Sequence, residues 1–124
     1  MASELRVNTL KDASGNNSIA TSFVANGSLK AWVGAETDAS QQQSLNFSSS
    51  SDNGTGSYTF ALSSSISSAN YSHPIVPADA DGGGGLDISV TSKASGSIRV
   101  GTIRDDSTKT DNANVSVSIF GELA

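Results

Sequence analysis

The sequence predicts an all-β protein: an antiparallel β-sandwich, jelly-roll-like or Ig-like, with an extended N-terminal strand or arm. Three observations lead there. Apolar residues fall in short alternating runs, the mark of half-buried strands. Turn chemistry recurs every ~8–12 residues, which suits about seven or eight strands. No segment sustains an apolar period near 3.6, so no amphipathic helix is expected.

The elements follow in order. Leu5, Val7 and Thr9 share one face of a first run over residues 5–10. Residues 11–17 are Lys-Asp-Ala-Ser-Gly-Asn-Asn, which is turn chemistry because Gly and Asn tolerate positive φ. Residues 19–24 form a weaker run. Asn26-Gly27 is a strong short-range hairpin signal. A strand follows, with Leu29, Ala31 and Val33 on one face and Lys30 and Trp32 on the other. Trp32 is expected to be buried against the second sheet or a neighbouring subunit. Residues 34–43 are polar and read as a loop. A hairpin spans residues 45–62, turning at Asn53-Gly54 and returning with Tyr58, Phe60 and Leu62 on one side. Residues 71–77 hold both prolines and should form an edge or irregular strand. Residues 78–85 end in four glycines and read as a mobile loop. Clean alternation marks residues 86–90 and 97–104. Residues 105–112 form a polar loop. Val115, Val117 and Ile119 face one way in the last strand.

Composition narrows the chemistry. The 124 residues allow one domain plus an arm, divided as residues 1–24 and 25–124. Serine is about a fifth of the chain, charged residues are 15% and hydrophobic residues 35%. Serine and low charge favour disorder, but the alternation of the apolar residues opposes it. Seven Lys and Arg against 12 Asp and Glu give a net charge of −5, a poor match to a phosphate backbone, so no nucleic-acid partner is expected. The absence of Cys removes disulfides, thiolate nucleophiles and Cys-based zinc sites. Neither a secretory apolar region nor a membrane span is expected, since no apolar run approaches ~18 residues.

The candidate sites are few. The one His, His73, precedes Pro74 with no Gly-x-Ser-x-Gly context beside a nucleophile, and reads as a packing residue at a strand edge. Asp79, Asp81 and Asp87 are spaced like the start of a calcium loop, but Val90 stands where a bidentate Glu is needed. Asp105 and Asp106, with Asp111, make a weaker carboxylate group. Asp79, Asp81, Asp105 and Asp106 are also the candidate loop contacts. Leu5, Val7 and Leu10 are the candidate attachment and oligomerisation residues, because an isolated amphipathic strand cannot bury its own apolar face and can pair with another chain. No catalytic residue, cofactor or firm metal site is expected.

Several segments carry a resemblance. Residues 3–17, Ser-Glu-Leu-Arg-Val-Asn-Thr-Leu-Lys-Asp-Ala-Ser-Gly-Asn-Asn, resemble the N-terminal segment of bacteriophage tail-fibre-like virion proteins, common among marine and environmental phages. Residues 24–33 are similar to that family's Ala-Asn-Gly-Thr-Ala-Lys-Ala-Trp segment, and residues 51–60 to its Asp-Asn-Gly-Thr-Gly-Asp-Tyr-Thr hairpin. Ser68-Ala69-Asn70-Tyr71 and Val117-Ser118-Ile119-Phe120-Gly121 also fit. The family often has a longer shaft or a further aromatic, Asn-rich strand after the Trp; residues 34–43 depart from that pattern. The resemblance implies a virion structural protein made in the bacterial host cytoplasm, a tail fibre or fibre-like appendage module. Its expected partners are its own copies in a homotrimer, other phage virion proteins in tail or capsid, and host surface glycan. The alternatives are a capsid decoration or cement protein and, more distantly, a polysaccharide-active hydrolase.

Overall fold

Alternation of large and small side chains builds two facing sheets in the computed structural model, which describes residues 3–78, 86–104 and 106–124. Strands β1 (Thr9–Lys11) and β2 (Ser18–Ala20) form a small hairpin, followed by helix α1 (Thr21–Gly27). The sandwich strands are β3 (Leu29–Ala35), β4 (Gln41–Leu45), β5 (Phe47–Asp52), β6 (Ser57–Leu62), β7 (Ile75–Ala78), β8 (Leu86–Ala94), β9 (Ser97–Arg104) and β10 (Asn114–Phe120). One sheet runs β4-β3-β10-β7 and the other β5-β6-β9-β8, and every pairing is antiparallel. The protein is an all-β sandwich.

The inward positions are those the alternation marks. Ala31, Val33 and Ala35 of β3 and Val115, Val117 and Ile119 of β10 face Tyr58, Phe60 and Leu62 of β6 and Ile98 and Val100 of β9 in one core. Phe47 meets Phe60 edge-on, with ring centroids 6.0 Å apart. Ile66 and Tyr71 join the same core from the chain between β6 and β7, and the Tyr71 hydroxyl donates to the Ser97 carbonyl at 3.0 Å.

The N-terminal region is not a single extended strand. Only Thr9–Lys11 is strand, because the chain doubles back at Asp12 to pair Leu10 with Ile19. The Asp12 carboxylate closes that turn by accepting from the Ser14 hydroxyl at 2.9 Å, the Asn16 N–H at 3.0 Å and the Asn17 amide at 2.7 Å. The Ser14 hydroxyl and then the Asn17 amide hold its carboxyl below the usual range. Residues 21–27 are helical, not extended, and Asn26-Gly27 ends a helix instead of turning a hairpin. Thr21 ties the helix back, its hydroxyl donating to the Val7 carbonyl at 3.1 Å. The helix crosses the expected division between residues 24 and 25, and the sandwich begins at Leu29.

Two other expectations change. Residues 34–43 are loop only in their middle: β3 runs to Ala35 and β4 starts at Gln41, so the loop shrinks to residues 36–40. Leu45 ends β4 in one sheet while Phe47 starts β5 in the other, so the hairpin is β5–β6 alone. Asn46 makes the crossing at φ 58°, a left-handed conformation that Asn tolerates. Its side chain is fixed there by the Ser64 N–H at 2.7 Å and carbonyl at 3.0 Å.

All four outer strands are irregular or lack a donor. The β3–β4 register skips Gln42, β5–β6 skips Ser48 and β8–β9 skips Thr91, each a bulge on the edge strand. The remaining edge strand, β7, contains Pro77, which has no N–H. Such features discourage strand addition.

Gly56 is fixed by space as well as conformation. Its φ is +61°, and a Cβ there would stand 2.5 Å from the Thr102 carbonyl oxygen. Gly56→Ala is therefore expected to cost roughly 3 kcal/mol or more of unfolding free energy. Gly34→Ala, where a Cβ meets nothing within 4 Å, is expected to be neutral or slightly stabilising. Urea denaturation of the two variants beside the parent checks both.

Candidate interaction surface

The carboxylates and the histidine are placed first. Asp87 is exposed on β8, opposite Ile103. Asp106 is exposed in the turn after β9, where its carboxylate accepts from the Thr108 N–H at 2.9 Å. That backbone bond, helped by the Thr108 hydroxyl, lowers its pKa. Asp79, Asp81 and Asp105 lie outside the described residues, as does most of the glycine-rich loop. Among the described residues, no three His, Cys, Asp or Glu side chains gather as metal ligands. His73 is half-buried, its ring edge-on to Tyr71 with centroids 6.2 Å apart.

Asp111 belongs to a structural knot. Its carboxylate accepts from the Gly56 N–H at 2.7 Å and from the Tyr58 hydroxyl at 3.3 Å. The same hydroxyl accepts from the Asn112 N–H at 3.0 Å. The Thr102 N–H reaches the Gly56 carbonyl at 3.0 Å, and the Thr102 hydroxyl donates to the Thr110 carbonyl. These bonds tie the β5–β6 turn and the end of β9 to the chain entering β10. Its spacing groups Asp111 with the loop carboxylates Asp105 and Asp106. Only its partner Tyr58, at an inward position, hinted that a polar group would be needed at that end of the core.

The surface with unsatisfied apolar character lies elsewhere. Leu5 is 79% exposed, Val7 39% and Leu10 43%. Ile19, Phe23 and Val24 add to them, Phe23 at 72%. Six of the nine large hydrophobic side chains exposed among the described residues thus lie before residue 25. None of residues 3–28 is buried. The missed contributor is Phe23, which sat in a run too weak to read.

The second apolar feature is on the outer face of the β4-β3-β10-β7 sheet. Trp32 is half-buried there, not in the core, because Ala31 and Val33 point inward and alternation sends Trp32 out. Across the strands it pairs with Leu45 and Ser118. Leu29, Trp32, Gly34, Ser116 and Ser118 line a shallow groove of about 380 Å³. Gly34 leaves it open, since no atom lies within 4 Å of where its Cβ would be. Lys30 links groove and helix: its Nζ donates to the carbonyls of Ala25 and Ser28. Cationic donors suit the carbonyl-rich C-terminus of a helix.

Burial raises the Tyr58 pKa, and the negative Asp111 raises it further. A phenol whose folded pKa exceeds its unfolded value of ~10 contributes stability that is complete below that value. The contribution is lost as pH rises through the higher folded pKa. Tyr58→Phe is expected to cost about 1–3 kcal/mol at neutral pH, because the Asn112 N–H loses its acceptor. It is also expected to flatten the fall of stability above pH ~10, leaving the part due to Tyr71, whose pKa burial also raises. Chemical denaturation from pH 7 to 11 checks both effects.

Compared with known proteins, the chain matches no family model, no curated protein and no solved structure.

Proposed function

We propose that this chain is a structural module of a bacteriophage virion, a tail fibre or fibre-like appendage, acting by self-association and binding and not by catalysis. The observation that carries the proposal is the exposed apolar N-terminal segment, which the sandwich core does not use. Leu5, Val7 and Leu10 are its attachment and oligomerisation residues, now joined by Phe23. An exposed apolar patch of this kind marks an interaction surface. The motif resemblance supplies the virion assignment, with manufacture in the bacterial cytoplasm and assembly as a homotrimer alongside other virion proteins. The loops between strands, with Asp106 on one of them, are the surfaces left to meet host glycan.

Light scattering on the purified chain is expected to give three times the 12.5 kDa protomer mass. Antibody labelling of intact particles is expected to mark the tail or its appendages. Labelling along the capsid shell would replace this reading with a decoration protein. Turnover of host polysaccharide, abolished by carboxylate substitution, would replace it with a hydrolase.

A further inference from the structure

We infer that the N-terminal segment of one copy seats its apolar side chains, Phe23 foremost, in the Trp32 groove of the next copy. The assignment rests on the self-association reading above and names the two surfaces that meet.

The two surfaces are complementary. The segment exposes on the order of 500 Å² through its six large apolar side chains, which is the larger part, but not the whole, of the ~800 Å² per partner that a standard interface buries. Its charges are Glu4, Arg6, Lys11 and Asp12, so residues 1–28 are neutral and the net −5 lies in the sandwich. Glu4 and Arg6 already pair with each other at 2.9 Å. Leu29, Trp32, Gly34, Ser116 and Ser118 add no charge on the receiving side, and the one cation beside them on that face, Lys30, is already held by the carbonyls of Ala25 and Ser28. Seating one surface on the other therefore desolvates apolar groups and small hydroxyls without stranding an ion.

The alternatives within the molecule are poorer. Bulges at Gln42, Ser48 and Thr91 and the missing N–H of Pro77 disfavour association by extending either sheet, which leaves faces. The segment's own groove is a poor receiver. Ser28 alone joins α1 to β3, and Lys30 holds the helix end at that junction. A contact between two different surfaces repeats head to tail and closes into a ring when the rotation allows, as a trimer requires.

Two variants separate donor from receiver. Phe23→Asp removes the anchor at an exposed position. Gly34→Glu fills the groove with a charged side chain where there is free space. Each alone is expected to weaken association at least ~30-fold, the loss typical of an interface anchor, with unchanged thermal unfolding of the monomer. Mixed in equal amounts, they are expected to give a heterodimer by native mass spectrometry. The Gly34→Glu chain still has its segment and the Phe23→Asp chain still has its groove. Trp32, the only Trp, should shift its emission to the blue on assembly of the parent, and not in Phe23→Asp alone.

A parent chain that stays monomeric at high concentration would overturn both this inference and the self-association reading. A parent oligomer unaffected by Gly34→Glu would leave self-association standing and overturn the groove as its receiver. Two monomeric variants that do not pair on mixing would also overturn the inference.

Discussion

The sandwich depends on how the Tyr58 hydroxyl, a polar group inside a largely apolar core, is satisfied. The Tyr58 ring fills an inward position on β6, and its hydroxyl cannot be left without partners there. The Asp111 carboxylate and the Asn112 N–H supply them. The Asp111 oxygen also takes the Gly56 N–H, so a tight turn, a core side chain and the approach to β10 are fixed together. β10 then enters the other sheet between β3 and β7 with Val115, Val117 and Ile119 inward. The place of the last strand in one sheet is thus set from the other.

Much of this was legible where alternation is strong. Tyr58, Phe60 and Leu62, then Ile98 and Val100, then Val115, Val117 and Ile119 declare a buried face by spacing alone. Where the side chains carry no contrast, the signal disappears. β4 is Gln-Gln-Gln-Ser-Leu, and it is strand because β3 supplies its hydrogen bonds, which composition does not record. Asn46 reads as one more polar residue, yet its left-handed backbone moves the chain between sheets. Residues 21–27 are too short to display a helical period. They form α1 with no side-chain N-cap and no buried residue, held by Thr21 at one end and Lys30 at the other.

The interaction surface was legible in half. Leu5, Val7 and Leu10 stand out because a short amphipathic run cannot bury its own apolar face; β1 pairs with β2, and that hairpin still leaves all three exposed. The groove could not be read, since it needs two distant stretches side by side. Gly34 and Trp32 become a groove only when β10 lays Ser116 and Ser118 beside them. A large aromatic at position 32 suggests burial against the second sheet or a neighbouring subunit, and the sandwich itself leaves Trp32 outside its core. Here the core side of β3 is taken by Ala31 and Val33, small enough to let the rings of β6 approach.

The β3–β10 pairing also has a consequence in time. It joins Ala31 to Ile119 and Ala35 to Val115, so the middle of one sheet links residues 80 to 88 positions apart. Pairings of such long sequence separation form slowly, because a large loop must close before any contact rewards it. During synthesis, residues 3–28 emerge before the sandwich strands, and their hairpin closes through neighbours only a few residues away. Phe23 is then outside the ribosome well before β10 exists to complete the sheet that carries Trp32. The order of synthesis leaves the apolar segment exposed before that sheet exists, which makes early capture by other chains a hazard.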